Sequence, residues 1–222
     1  MKRRNNFFFI GFVLIQLCSI SPVFAQPFIK EIKAFKQQDS IAMPPKNAIL
    51  FAGSSSFRLW KNIEADFPGH TIVNRGFGGS SLSDVIRYTE DILFPYSPKH
   101  IVIYCGENDF ATDPKLPSDS VVRRFRVLFS LIRSRFVTTL VTYVSMKPSP
   151  SRWKMKDQMI AANDGIKKFL RSQRRTNYVD VWVPMLAENG EPMKDLFLSD
   201  SLHMNAKGYA IWQKAIEPVL KK

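Results

Sequence analysis

The sequence predicts a doubly wound α/β domain, and two observations carry that prediction. Five short runs are nearly continuous in apolar and β-branched residues, and helical patterns lie between them. Strands alternating with helices in this way build a parallel sheet covered on both faces. The 222 residues, 45% hydrophobic and 23% charged, suit one folded domain with a sizeable core. No internal repeat, low-complexity tract or linker divides the chain.

The elements can be justified in chain order. Lys2, Arg3 and Arg4 open the sequence, and an apolar run over 7–20 follows, broken by Gly11, Gln16, Cys18 and Ser19. Val23-Phe24-Ala25 then supplies small residues at the first and third positions of a cleavage site. This pattern predicts a secretory signal peptide over 1–25 and a mature domain over 26–222. The run is short for a membrane span. An uncleaved anchor is the alternative; a lipoprotein site at Cys18 is disfavoured by bulky Leu17 before it. A leading helix is expected over 28–35, with Pro44-Pro45 separating it from the first strand.

Strands are expected over 48–52, 71–74, 101–105, 139–145 and 178–183. Helices are expected over 83–94, 118–136, 156–171 and 206–216. In the second of these, Val121, Phe125, Leu128 and Ile132 share one side, while Arg123, Arg124, Arg126, Arg133 and Arg135 fall mostly on the other.

Charge and cysteine content exclude some classes. Lys and Arg number 32 against 19 Asp and Glu, a formal charge of +13. Loss of a leader containing Lys2, Arg3 and Arg4 takes that to +10. Excess positive charge favours anionic polymers or envelope surfaces but names no substrate. The arginine stripe over 118–136 reads as a solvated outer helix face, because no helix-turn-helix, zinc-finger or aromatic RNA-binding signature accompanies it; no nucleic-acid partner is expected. The mature chain keeps only Cys105, so no disulfide framework supports it. It also contains no further membrane-length apolar run, so no stable membrane insertion is expected after cleavage. An exported protein, periplasmic or extracellular, is the resulting expectation.

The fold class says where chemistry can sit, since ligands of open parallel sheets bind beyond the carboxyl ends of the strands. The segments placed there are Gly53-Ser54-Ser55-Ser56, Gly76 to Ser81, Gly106-Glu107-Asn108-Asp109, Lys147 to Arg152 and Asp200-Ser201-Leu202-His203. His70 and His100 precede strands and belong at the opposite end, leaving His203. Asp200, three residues before it, can reach a ring nitrogen and fix the tautomer. A serine at the first strand-to-helix corner would supply a nucleophile that needs such a base. Competing motifs fail: there is no G-x-S-x-G, no complete G-x-G-x-x-G, no Walker A lysine and no His-Glu-x-x-His. No metal cluster can be assembled from the spacings.

Four of these blocks together resemble the SGNH (GDSL-type) hydrolases: Gly53-Ser54-Ser55, Asn74 to Gly79, Gly106 to Asp109 and Asp200 to His203. The resemblance implies a three-layer α/β/α sandwich with a five-stranded parallel sheet, flavodoxin-like in layout. It also implies ester hydrolysis without metal or organic cofactor. Carried over block by block, it makes Ser55 the nucleophile, His203 the base and Asp200 its orienting partner. Gly79, Asn108 and the Ser55 N–H become the oxyanion hole. Ser54 stands where the family has Asp, which leaves Ser54 and Ser56 as competing nucleophiles and predicts a loop-supporting role for the Ser54 hydroxyl.

The family includes carbohydrate deacetylases, lysophospholipases, thioesterases and arylesterases. No long apolar lid follows any block, which points to a short acyl group, such as acetate, on a carbohydrate. A lysophospholipase, a thioesterase or a non-catalytic glycan-binding module on the same fold are the alternatives. Arg75, Arg152 and Trp153 flank the rim in sequence and are candidate substrate contacts.

Overall fold

The computed structural model describes residues 27–220; the expected leader over 1–25 lies outside them. Five strands, β1 (Ile49–Gly53), β2 (Ile72–Gly76), β3 (His100–Tyr104), β4 (Leu140–Val144) and β5 (Thr176–Val179), form one sheet in the order β2-β1-β3-β4-β5. Every pairing is parallel. The five-stranded, flavodoxin-like sheet is therefore present, and its order reverses direction between β1 and β3.

Alternation along the strands builds the three layers. Leu50, Ala52, Ile101, Ile103, Val141 and Tyr143 enter one apolar cluster. Their neighbours Ile49, Phe51, Val102, Tyr104 and Val144 enter the other, packed around fully buried Trp212. The first cluster is covered by α1 (Ile29–Ile41), α4 (Leu82–Arg87), α5 (Thr89–Ile92), α7 (Ser118–Arg135) and α8 (Lys156–Arg171). The second is covered by α2 (Ser55–Arg58), α3 (Ile63–Asp66) and α9 (Ala206–Leu220). A further short helix, α6 (Glu107–Thr112), follows β3. Among the described residues, no helix is long and apolar enough to cross a membrane.

Three of the departures from the sequence reading have local reasons. The single helix expected over 83–94 is two, because Tyr88 leaves helical geometry between α4 and α5. The last strand is Thr176–Val179, not 178–183, because the Asp180 carboxylate accepts the Trp182 and Val183 N–H groups and turns the chain. The leading helix runs on to Ile41. Its extension has a partner: Asp39 binds the Arg75 guanidinium beneath it.

His100 opens β3 at the amino end of the sheet, buried, with Nε2 2.7 Å from Thr142 Oγ1. Burial pushes its imidazole down to about 4, with Lys99 and His70 adding to the effect. The folded state thus holds the ring neutral, while the unfolded chain protonates it near the ordinary histidine value. Stability from this site is complete above that value and is lost as pH falls towards 4. Denaturant titration should find roughly 2–3 kcal/mol lost between about pH 7 and pH 4.5 from this residue. His100→Gln should lose correspondingly less over the same interval; an equal loss in both proteins would refute the assignment.

Candidate active site

The site is built where the sheet order reverses, at the carboxyl ends of β1 and β3. Gly53 ends β1 at φ +142°, and a Cβ there would lie 2.0 Å from the Tyr104 carbonyl oxygen. Only glycine permits this approach, and it lets the Ser54 N–H donate to Tyr104 O at 3.0 Å. The chain then turns into α2 with Ser55 as its first residue. Asn74 braces the corner from β2, donating to Phe57 O at 2.7 Å and accepting the Gly76 N–H at 2.9 Å.

His203 arrives on a turn shaped by Asp200. The Oδ1 atom of Asp200 accepts the Leu202 and His203 N–H groups, both at 2.9 Å. Oδ2 lies 2.6 Å from His203 Nδ1. Burial alone would raise this carboxyl, but the backbone and ring hydrogen bonds from His203 and the Leu202 N–H outweigh it and hold the pKa at about 2. A carboxylate only accepts, so Nδ1 carries the proton and Nε2 is left to accept. Nε2 lies 3.1 Å from Ser55 Oγ. Asn205 caps α9 directly afterwards, accepting the Lys207 N–H at 2.9 Å, so Asp200 is not needed for that task.

The three serines separate by position. Ser55 is partly exposed and reaches His203; Ser54 and Ser56 are buried. Ser54 Oγ turns to the third block and accepts from Asn108 Nδ2 at 2.8 Å. The same amide nitrogen donates to Ser80 O at 3.1 Å. Gly79 is exposed at the rim, and a Cβ there would sit 3.8 Å from Asn108 Nδ2, so glycine keeps the space before that amide open. Among the described residues, neither the Ser55 nor the Gly79 N–H has a protein acceptor. Asn108 has an anchor on each side, and its donation to a ligand would replace the contact with Ser54. Ser54→Ala should therefore leave Asn108 held by Ser80 O and lower kcat/KM by less than about tenfold. Loss of activity equal to that of Ser55→Ala would contradict this placement.

Two of the remaining candidates are corrected by their contacts. Arg75 does not face the rim. Its strand position puts it beside Val73 on the α1 face, where it binds Tyr96 and Asp39 between the rings of Phe35 and Tyr96. Trp153 is not an open platform: its ring stacks on Trp182 at 5.9 Å and carries the Lys156 ammonium at 4.9 Å. Arg152 differs. Its guanidinium has no protein partner among the described residues, and its Nε is buried and unsatisfied. The neighbouring Ser151 N–H donates to Ser201 O at 3.1 Å, tying this segment to the His203 turn.

Several working residues escaped the sequence reading. Asp109, buried, accepts the Leu82 N–H at 2.9 Å and Arg124 at 2.6 Å, locking the third block to α4 and α7. Arg124 is accordingly not part of a purely solvated stripe. Lys147, on the segment that follows β4, is 1% exposed and lies 3.1 Å from both carboxylate oxygens of Glu107. Tyr104 donates to the same carboxylate. These three residues, with Ser54, Ser55 and Leu202, line a small cleft beside the nucleophile. The cleft as a whole has room inside for about one water-sized group. The sequence signal was a charged residue in each of two rim segments. Among the described residues, no group of three or more His, Cys, Asp or Glu side chains is arranged to hold a metal ion.

Residues 39–211 match the model of the GDSL-like Lipase/Acylhydrolase family. The chain belongs to that family. It is a carboxylic ester hydrolase, and the three-layer fold is the family's. No curated protein matches the sequence. Among solved structures, a protein from Streptococcus pneumonia whose name refers to platelet activating factor superposes with a TM-score of 0.76 at 19% identity, over 86% of this chain and 92% of that one. A GDSL-like lipase from Bacteroides thetaiotaomicron gives 0.72 at 20%, over 85% and 96%. A family 3 carbohydrate esterase from Clostridium thermocellum gives 0.61 at 14%, over 79% and 98%. At these identities the likeness is one of fold, and the details of this acylhydrolase's site rest on its own geometry.

Proposed function

We propose that this acylhydrolase is an exported serine esterase that removes a short acyl group, acetyl in the first instance, from a carbohydrate. The observation that carries the reading is the chain of contacts from Ser55 through His203 to Asp200, at 3.1 and 2.6 Å, beside two backbone N–H groups without acceptors among the described residues. Ser55 Oγ attacks the ester carbonyl while His203 Nε2 takes its proton. Charge on the former carbonyl oxygen is met by the Ser55 and Gly79 N–H groups and by the Asn108 amide. His203 protonates the leaving alcohol, then activates water to release the acid and restore Ser55.

Two further features support the short acyl group and the polar alcohol. The cleft beside Ser55 is lined in part by the Lys147–Glu107 ion pair and has little free space, a poor place for an alkyl chain. That argues against a lysophospholipase or long-chain thioesterase. The Arg152 guanidinium, without a partner among the described residues and on the segment tied to the His203 turn, is suited to a hydroxyl or anionic group of the leaving alcohol. The basic leader pattern before residue 26 motivates the export.

The test is release of acid from acetylated oligosaccharides and from 4-nitrophenyl esters of graded length by the mature chain. Acetyl esters should be the best substrates, with rates unchanged by a chelator. Sugar binding without turnover of any ester would favour the glycan-binding alternative, and preference for long acyl chains would favour the lipase one.

A further inference from the structure

The buried pair Lys147–Glu107 has no part in the proton path from Ser55 to Asp200, yet it borders the nucleophile's cleft. We infer that Lys147, Glu107 and Tyr104 are the end wall of the acyl subsite, set to admit a two-carbon acyl group and to tolerate a hydroxyl on it, so that hydroxyacetyl esters are also substrates. This inference rests on the reading of Ser55 as the nucleophile.

The wall is fixed by the fold. Tyr104 is the last residue of β3, Glu107 begins α6, and Lys147 follows β4, so three adjacent elements each contribute one side chain. All three are more than nine-tenths buried. Lys147 Nζ donates to both Glu107 oxygens at 3.1 Å, and the Lys147 N–H also donates to Glu107 Oε1 at 3.3 Å. Glu107 therefore cannot swing aside without leaving a buried ammonium behind, and Lys147 cannot leave without stranding a carboxylate. A wall of this kind does not yield to a growing acyl chain.

Its chemistry then sorts acyl groups of equal size. A methyl group pressed against an ammonium–carboxylate pair shields polar atoms from water and returns no hydrogen bond. A hydroxyl in the same place can donate to Glu107 Oε2, which among the described residues accepts only from Lys147 Nζ, whereas Oε1 already accepts from Tyr104 and twice from Lys147. Propionyl and hydroxyacetyl esters have the same number of heavy atoms, so comparing them isolates polarity from size. The reaction is otherwise unchanged: water adds across the ester, giving hydroxyacetate and the alcohol.

The experiment measures kcat/KM for phenyl acetate, hydroxyacetate, propionate and butanoate, each divided by its own hydroxide-catalysed rate. The wild-type protein should favour hydroxyacetate over propionate by about tenfold or more, and butanoate should be poorest. Glu107→Gln with Lys147→Met removes both charges together and should raise the propionate-to-acetate and butanoate-to-acetate ratios about tenfold. These ratios are internal to each protein and do not depend on the fraction folded. If the double variant does not fold, the wild-type comparison decides alone. Propionate equal to or better than hydroxyacetate in the wild type would overturn the inference, as would unchanged ratios in a folded double variant. Absence of turnover of every ester would instead refute the reading of Ser55 as nucleophile.

Discussion

Ser55→Ala and His203→Ala are each expected to lower kcat/KM towards a short ester by about 10⁴–10⁶-fold, with the folded structure intact. Among the described residues the Ser55 hydroxyl bonds only His203, and His203 is partly exposed, so neither truncation opens a hole in either core cluster. Circular dichroism and the denaturation midpoint should match the wild type. Combining the two changes should add little, because each alone already breaks the same proton path. Asp200→Asn is expected to cost less. Its carboxylate is 47% exposed, so water can replace it at His203 Nδ1. A double variant much worse than either single one would show that Ser55 and His203 act in separate steps.

Lys147→Met is expected to be the most destabilising single change near the site. It leaves the Glu107 carboxylate buried with the Tyr104 hydroxyl and the residue 147 N–H as its remaining partners. Breaking a buried pair from one side costs about 3–5 kcal/mol, whereas removing both charges can be close to neutral. Adding Glu107→Gln to Lys147→Met should therefore recover most of the stability, read as the free energy of unfolding in denaturant. A single variant as stable as the double would mean that the pair is wetter and weaker than its burial, 1% exposed at Lys147 and 6% at Glu107, implies.

The sequence made much of this architecture legible because parallel strands covered on both faces leave an unmistakable pattern. The runs ending at Ala52, Asn74 and Cys105 are apolar for that reason, and their carboxyl ends placed Ser55, Gly79 and Asn108 on one rim. His203 was separable from His70 and His100 by the same rule. What stayed illegible were contacts between segments far apart in the chain. Arg75 was assigned to the rim from its neighbours in sequence, but its direction follows strand parity, which sets it with Val73. Its partners Asp39 and Tyr96 lie 36 and 21 residues away. Lys147 and Glu107, 40 residues apart, fell in two separate rim segments, and nothing in the sequence paired them until the sheet brought β3 and β4 together. The break after Val179 was hidden because Val181, Trp182 and Val183 continue the apolar run, while a single Asp180 side chain turns it.

The central claim is that Ser55, among three consecutive serines, is the nucleophile activated by His203. The most direct measurement is reaction of the mature protein with a fluorophosphonate, followed by mass spectrometry of the peptide containing residues 54–56. One adduct on Ser55 is expected, forming in step with loss of esterase activity and greatly slowed in His203→Ala. An adduct on Ser54 or Ser56, or complete inactivation with none of the three labelled, would contradict the account.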